Sequence, residues 1–327
     1  MTDVGDAPDR AWISAMPKAE VHLHLEGCIP ADVVGDGGPA PSIASLAELL
    51  AHLDRTCAAV ERADQLGEIA RQLSRRAGAV GARHVDVIVN PSHWPHFQRR
   101  LGAMVDALDG PFAESEHDGG ATVGLCVSVG RTSSGAQAEE LVDLVVALGR
   151  PRVVGFSIDG NEAAGSHNGR FAGAFAKAGR AGLRRCAHAG ESSGAAGVRE
   201  AVELLGAERI DHGIRCVEDP ALVAELAERG VPLDICPTSN VVLGIVDGLA
   251  QHPLDALRRA GVPVSLNTDD PLIYGIDLVG EYERCAVTFG WGPSELAAVA
   301  RTSIESCFAG EDRRAELLRE LDRYVAS

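Results

Sequence analysis

The sequence predicts a (β/α)₈ barrel of the TIM type with extra C-terminal helices, and three observations carry that expectation. Short, almost wholly apolar β-rich runs alternate with longer alanine- and leucine-rich amphipathic stretches along the 327 residues. Near-continuous apolar character is the mark of parallel strands buried on both faces. The chemically distinctive polar residues fall at the C-terminal tips of those runs, where barrels of this kind assemble their sites.

The first strand is expected at 19–25, in Ala-Glu-Val-His-Leu-His-Leu, and the second at 83–90. The third and fourth follow at 122–129 and 153–158, and the fifth at 183–187. The sixth, seventh and eighth are short, at 209–211, 232–235 and 264–266. Helical periodicity lies between them at 64–79, 137–148, 169–181, 194–205, 220–229 and 253–260. Several of these stop at glycine (Gly149, Gly182, Gly206, Gly230, Gly261), the usual residue just past a helix end. Helices from about 293 to 325 close the outside. The chain reads as one domain, 1–327, with a flexible N-terminus over 1–15. The glycine- and proline-rich segment 35–41 reads as a surface loop over the barrel mouth.

Composition excludes several function classes. With 47 acidic against 30 basic residues the net charge is −17, which disfavours a nucleic-acid backbone or an anionic membrane as partner. Aromatic residues, at 4%, are too sparse for a base-stacking platform. The N-terminal residues are acidic where a signal peptide is basic and then apolar, and no apolar run is long enough to span a bilayer. Eight dispersed cysteines form no Cys-x-x-Cys pair and read as reduced, buried thiols. The expectation is a cytoplasmic protein acting on a small molecule.

The acidic pair in Ser265-Leu-Asn-Thr-Asp-Asp-Pro271 ends the eighth strand. Two adjacent carboxylates there raise each other's cost of ionisation, and a divalent cation removes that cost. His22 and His24 alternate on the first strand, so a period of two puts both imidazoles on one face. His188 follows the fifth strand. Three imidazoles and one carboxylate make a site for a borderline cation such as zinc, with room for a water.

Other strand tips carry further candidates. Glu191, three residues after His188, is a helix-end acid or a sheltered general acid; beside His188 the second role is favoured. His212 ends the sixth strand, placed to orient or deprotonate a water. Asp159-Gly160-Asn161-Glu162 reads first as a turn, and Cys236-Pro-Thr-Ser-Asn240 as a polar loop without a catalytic role. His84, His93, His96, His117, His167 and His252 have no such context and read as surface or core.

Five motifs in order resemble the adenosine deaminase family of the metal-dependent amidohydrolases. They are Pro17-Lys-Ala-Glu-Val-His-Leu-His-Leu-Glu-Gly27, His188-Ala-Gly-Glu191, Glu208-Arg-Ile-Asp-His-Gly213, Cys236-Pro-Thr-Ser-Asn240 and Ser265-Leu-Asn-Thr-Asp-Asp-Pro271. The resemblance implies one Zn²⁺ per chain, held by His22, His24, His188 and Asp269, and hydrolytic deamination at C6 of a 6-aminopurine. It implies that Glu191 protonates N1, and that His212 positions the attacking hydroxide and, with Asp269, takes its proton. Asp270 would meet N7, the Gly160 backbone N3, and Glu26 the region of the ribose.

Three departures bear on the substrate. Glu26 stands where the adenosine-specific branch has aspartate and is similar to branches acting on adenine or on modified adenine nucleosides; Asp211, where glycine is commoner, resembles the adenine branch. The Ser265–Ile273 segment is closer to the adenosine branch, and the segment after Gly27 is short for the family. The sequence therefore points to adenosine or a close nucleoside. Adenine, or a modified nucleoside of the aminofutalosine type, is the alternative. A different amidohydrolase reaction and an inactive purine-binding relative are the remaining readings.

Overall fold

All eight expected strands form, and each pairs in parallel with the next in chain order. The computed structural model describes residues 8–35, 43–164 and 168–327. Residues 36–41 of the segment read as a mouth loop, and His167, lie outside the described residues. The strands are β1 Lys18–His24, β2 Ala82–Val89, β3 Thr122–Gly130, β4 Val153–Asp159, β5 Arg184–Ala189, β6 Arg209–His212, β7 Leu233–Ile235 and β8 Val264–Leu266. β1 stops at His24, one residue before the expected end, because Leu25 turns into a 3₁₀ segment, Glu26–Cys28.

The last seam closes with side-chain help. The backbone N–H groups of Val21 and His22 donate to Asn267 Oδ1 at 2.7 and 3.2 Å. One turn later the backbone resumes pairing, in a parallel bridge between Leu23 and Asp269. Beside the three-residue eighth strand, the Asn267 side chain thus adds hydrogen bonds to the seam with β1.

Below the mouth the barrel interior holds a charged layer. Buried Arg209 meets Asp86 at 2.6 Å and Asp234 at 2.9 Å and lies over the Phe308 ring. Ser265 donates to Asp234 at 2.8 Å. A buried ion cluster survives only when its partners are all present, so this layer ties β2, β6, β7 and β8 into one geometry.

The expected helices are present with ends moved by a few residues, including Pro293–Ser306 and Glu311–Val325 at the C-terminus. Of the N-terminal stretch expected to be flexible, residues 1–7 lie outside the described residues, and Arg10–Ala15 is a short helix with Ile13 buried. Helices Leu46–Ala58, Leu101–His117 and Leu278–Phe289 add to those read from the sequence. Leu46–Ala58 matters most. Ser45 caps its N-terminus through the Glu48 N–H, and Glu48 reaches back to the Ala44 N–H. Its buried positions, Leu49, Leu53 and Cys57, recur every four residues. Leu49 and Leu53 pack with Ile43 and Leu243, which lays the helix across the barrel mouth.

Candidate active site

Four side chains from three separate segments converge at the mouth. The ligand atoms of His22, His24, His188 and Asp269 all lie within 4.8 Å of one another, and all four residues are buried. Asp269 Oδ1 stands 3.3 Å from His22 Nε2 and 3.4 Å from His24 Nε2. His24 Nε2 and His188 Nε2 face each other at 3.0 Å. These four are the residues that the sequence proposes as ligands.

The surroundings dictate which nitrogen faces inward. His22 Nδ1 is 3.0 Å from the carbonyl of Asp234, so Nδ1 carries the proton and Nε2 turns a lone pair to the centre. That Nε2 is buried without a hydrogen-bond partner. Asp211 Oδ2 lies 3.1 Å from His188 Nδ1, which sets His188 the same way round. Inward lone pairs, a carboxylate and an unpartnered buried nitrogen fit a single divalent ion.

Backbone geometry brings the pieces together. Among the described residues, His212 (φ 65°) and Asp269 (φ 63°) are the non-glycine residues with positive φ. Such a conformation costs about 1–3 kcal/mol per residue and persists only where its surroundings hold it. Gly27 permits a close approach, since a Cβ there would lie 2.1 Å from Asp270 Oδ1.

The second carboxylate oxygen of Asp269 has separate company. Ser239 Oγ donates to Oδ2 at 2.7 Å, and Tyr274 lies 3.2 Å behind Ser239. His212 Nε2 is 4.0 Å from Oδ2 and 3.5 Å from Glu191 Oε1. His212 is held neutral by burial and by His22 nearby. Glu191 is pushed up to about 8 by burial, reinforced by Asp269 and Glu162, so it is a carboxylic acid at neutral pH.

Glu162, which the sequence reads as part of a turn, shapes the Glu191 loop. Its carboxylate accepts from the backbone N–H groups of Gly190, Glu191 and Ser192 at 2.8 Å, from Ser193 N–H at 3.3 Å, and from the Ser193 hydroxyl. Ser239, Asn240 and His252 are likewise missed by the sequence reading. Asn240 Nδ2 lies 3.2 Å from His212 Nδ1, and His252 Nε2 lies 3.2 Å from Asn240 Oδ1. His252 is thus a buried residue joined to Asn240, and the segment expected as a polar loop forms the helix Pro237–Val242 instead. Ser239 and Asn240 lie in a motif that carries the family resemblance but no role read from its residues, and nothing local marks His252; the fold brings them side by side.

A small cavity opens beside the cluster, about 40 Å³ for the centre of a water-sized molecule. Glu26, Asp159, Gly160, Glu191 and Asp270 line its polar side, and Leu46, Leu49, Leu50 and Leu53 roof it. Glu26 is already engaged: Oε1 accepts from the Asn90 N–H at 2.9 Å and the Trp94 indole at 2.7 Å. Its Oε2 is buried without a hydrogen-bond partner, with His24 Nδ1 4.0 Å away, and burial pushes the group up to about 7. Burial and the neighbouring Asp269 raise Asp270 well above the usual carboxyl range. His93 also lines the cavity, although the sequence reading left it aside.

Comparisons with known proteins agree with this geometry. The adenosine deaminase family profile matches residues 38–324. An adenine deaminase of Rhodopseudomonas palustris (strain BisB18) is 31% identical over 100% of this chain and 98% of its own. One from Streptomyces coelicolor is 33% identical over 94% of this chain and 96% of its own. Among solved structures, an adenine deaminase from Arthrobacter aurescens superposes with a TM-score of 0.88 at 33% identity, covering 96% of this chain and 100% of that one. An amidohydrolase from Burkholderia ambifaria with bound Zn gives 0.85 at 26% identity, covering 100% and 96%.

Proposed function

This chain belongs to the adenosine deaminase family, and we propose that its substrate is free adenine and its metal zinc. It is a hydrolase that removes the amino group of an aminopurine with the help of a metal. The nucleoside favoured by the Ser265–Ile273 segment gives way to the alternative, the free base. Relatives at 30–33% identity over nearly the whole chain are adenine deaminases. The observation that carries the choice is the leucine roof: among the described residues, the helix above the base offers Leu46, Leu49, Leu50 and Leu53, none of which can hydrogen-bond a ribose hydroxyl.

His22, His24, His188 and Asp269 would hold the zinc, their usual partner as three imidazoles and a carboxylate. When bound, such an ion supplies Lewis-acid activation of a water at neutral pH. Glu191, a neutral acid in the resting site, gives its proton to N1 and makes C6 electrophilic. Asp270, held protonated, donates to N7, and the Gly160 backbone meets N3. His212 and Asp269 Oδ2 flank the attacking water. Water adds to C6, the amino group is protonated, and ammonia leaves, giving the 6-oxopurine. Glu26 Oε2, buried and without a hydrogen-bond partner, would accept from the imidazole N–H that a free base retains and a nucleoside lacks.

The deciding experiment compares kcat/KM for adenine, adenosine, deoxyadenosine and N6-methyladenine in wild type and Glu26→Gln. Adenine is expected to lead, with a fall of about 10- to 100-fold in the variant, the worth of about 1–3 kcal/mol for a lost buried acceptor. A wild-type preference for adenosine would overturn the choice of substrate.

A further inference from the structure

The hydrogen bonds behind His212 form a chain whose polarity is set at its far end by the backbone. The Leu254 N–H lies 3.1 Å from His252 Nδ1. A backbone amide can only donate, so His252 Nδ1 is an acceptor and the proton of this imidazole sits on Nε2. Burial holds His252 down at about 4, which keeps it neutral. Its Nε2–H then needs an acceptor, and the atom 3.2 Å away is Asn240 Oδ1. The reverse amide orientation would set N–H against N–H in a buried place, at a cost the fold has no means to offset. With the oxygen of Asn240 committed to His252, its NH₂ group faces His212 Nδ1 at 3.2 Å and Glu191 Oε1 at 3.5 Å.

We propose that His252, through Asn240, fixes His212 as the Nε2–H tautomer, so that His212 is a hydrogen-bond donor in the resting site and not its base. His212 Nδ1 accepts from Asn240, and Nε2–H points between Glu191 Oε1 and Asp269 Oδ2. Two consequences follow for the reaction proposed above, on which this inference rests. A neutral imidazole with its proton already on Nε2 has no lone pair for the attacking water, so the water's proton passes to Asp269 Oδ2. Glu191 Oε1 is the oxygen nearest both N–H donors, Asn240 Nδ2 and His212 Nε2. It therefore serves as the carbonyl oxygen, and the acid proton sits on Oε2, free for the ring nitrogen. Asn240 and His252 touch neither substrate nor metal ligands in this scheme; they are positioning residues.

The sequence hides this device. His252 sits in Gln251-His-Pro-Leu254, with nothing local to mark it, and Asn240 lies in the short helix after β7. The helix Pro237–Val242 holds Asn240 in place: its N–H donates to the Cys236 carbonyl, and its own carbonyl accepts from Ile245. The two residues are twelve apart in sequence and meet because the chain turns back after β7.

The test reads the proton directly. Zn²⁺-loaded protein labelled with ¹⁵N in histidine gives long-range ¹H–¹⁵N imidazole correlations, with His212 assigned from their loss in His212→Gln. The wild type is expected to carry the His212 proton on Nε2. Asn240→Asp puts an acceptor beside Nδ1 and should move the proton there. His252→Phe should lower kcat about 10- to 100-fold, as for other orienting partners, with KM changed by about twofold or less. His252→Gln, whose amide can still donate to Asn240, should restore most of that kcat. A wild-type proton on Nδ1 overturns the proposal, and so does a His252→Phe protein with unchanged kcat. The spectrum needs no substrate, so an error over which purine is deaminated leaves this readout standing.

Discussion

Asp269 is bonded through its backbone to His24: the His24 N–H donates to the Asp269 carbonyl at 2.9 Å. The Asp269 N–H in turn reaches the carbonyl of His22 at 3.2 Å. The residue that closes the barrel seam is thus clamped between the two histidines whose imidazoles its Oδ1 faces. The same backbone bonds that close the barrel seam therefore place Asp269 in the candidate ion site and hold it at φ 63°.

His22→Ala and Asp269→Ala should therefore lose both metal and activity. Elemental analysis after dialysis is expected to find a single zinc per wild-type chain and little in either variant. Chelation should abolish turnover and added Zn²⁺ restore it; full activity in a chelated, metal-free sample would contradict the site. Bound metal should also raise the thermal midpoint in proportion to the logarithm of its free concentration above Kd.

Glu191→Gln keeps the shape of the side chain and removes the transferable proton. Turnover should fall about 10²- to 10⁴-fold with metal content unchanged. A fall of less than about tenfold would return Glu191 to an ordinary helix-end acid.

Glu162→Gln replaces a carboxylate that gathers four backbone N–H groups from the Glu191 loop. An amide presents one acceptor where two oxygens served, and its NH₂ faces donors. The variant should lose about 1–3 kcal/mol of stability in urea titration. It should also lose kcat more than it gains KM, because the loop that aims Glu191 is loosened. A variant with normal stability and normal kcat would show that the loop holds without it.

His252 makes a pH prediction with a definite sign. Its folded value of about 4 lies below the ordinary 6.5, because burial disfavours the charged ring. Above pH 6.5 both states are neutral there and nothing is lost. As pH falls from 6.5 towards 4 the unfolded chain binds a proton that the native state refuses, and stability falls by up to about 3 kcal/mol. His252→Gln removes this titration, so its urea midpoint should drop less than the wild type's between pH 7 and pH 4.5. Equal drops in the two proteins would place the pH sensitivity elsewhere.

The sequence by itself determined the barrel and the four residues that converge as a candidate ion site. Apolar runs separated by helical periodicity are local patterns, and eight in a row leave few parallel arrangements. The His-x-His alternation, His188 and the Asp269–Asp270 pair could be placed because a strand's C-terminal tip is readable from its own residues. What only the tertiary structure decided lies between elements. Glu26 Oε1 is engaged by Trp94, sixty-eight residues away, which leaves only Oε2 without a hydrogen-bond partner. Glu162 serves a loop that follows a different strand. The leucine roof, which speaks for a free base against the Ser265–Ile273 segment, exists only because the Leu46–Ala58 helix folds onto Leu243. Asn240 and His252 act through hydrogen-bond direction, a property of paired groups that no single residue carries in its name.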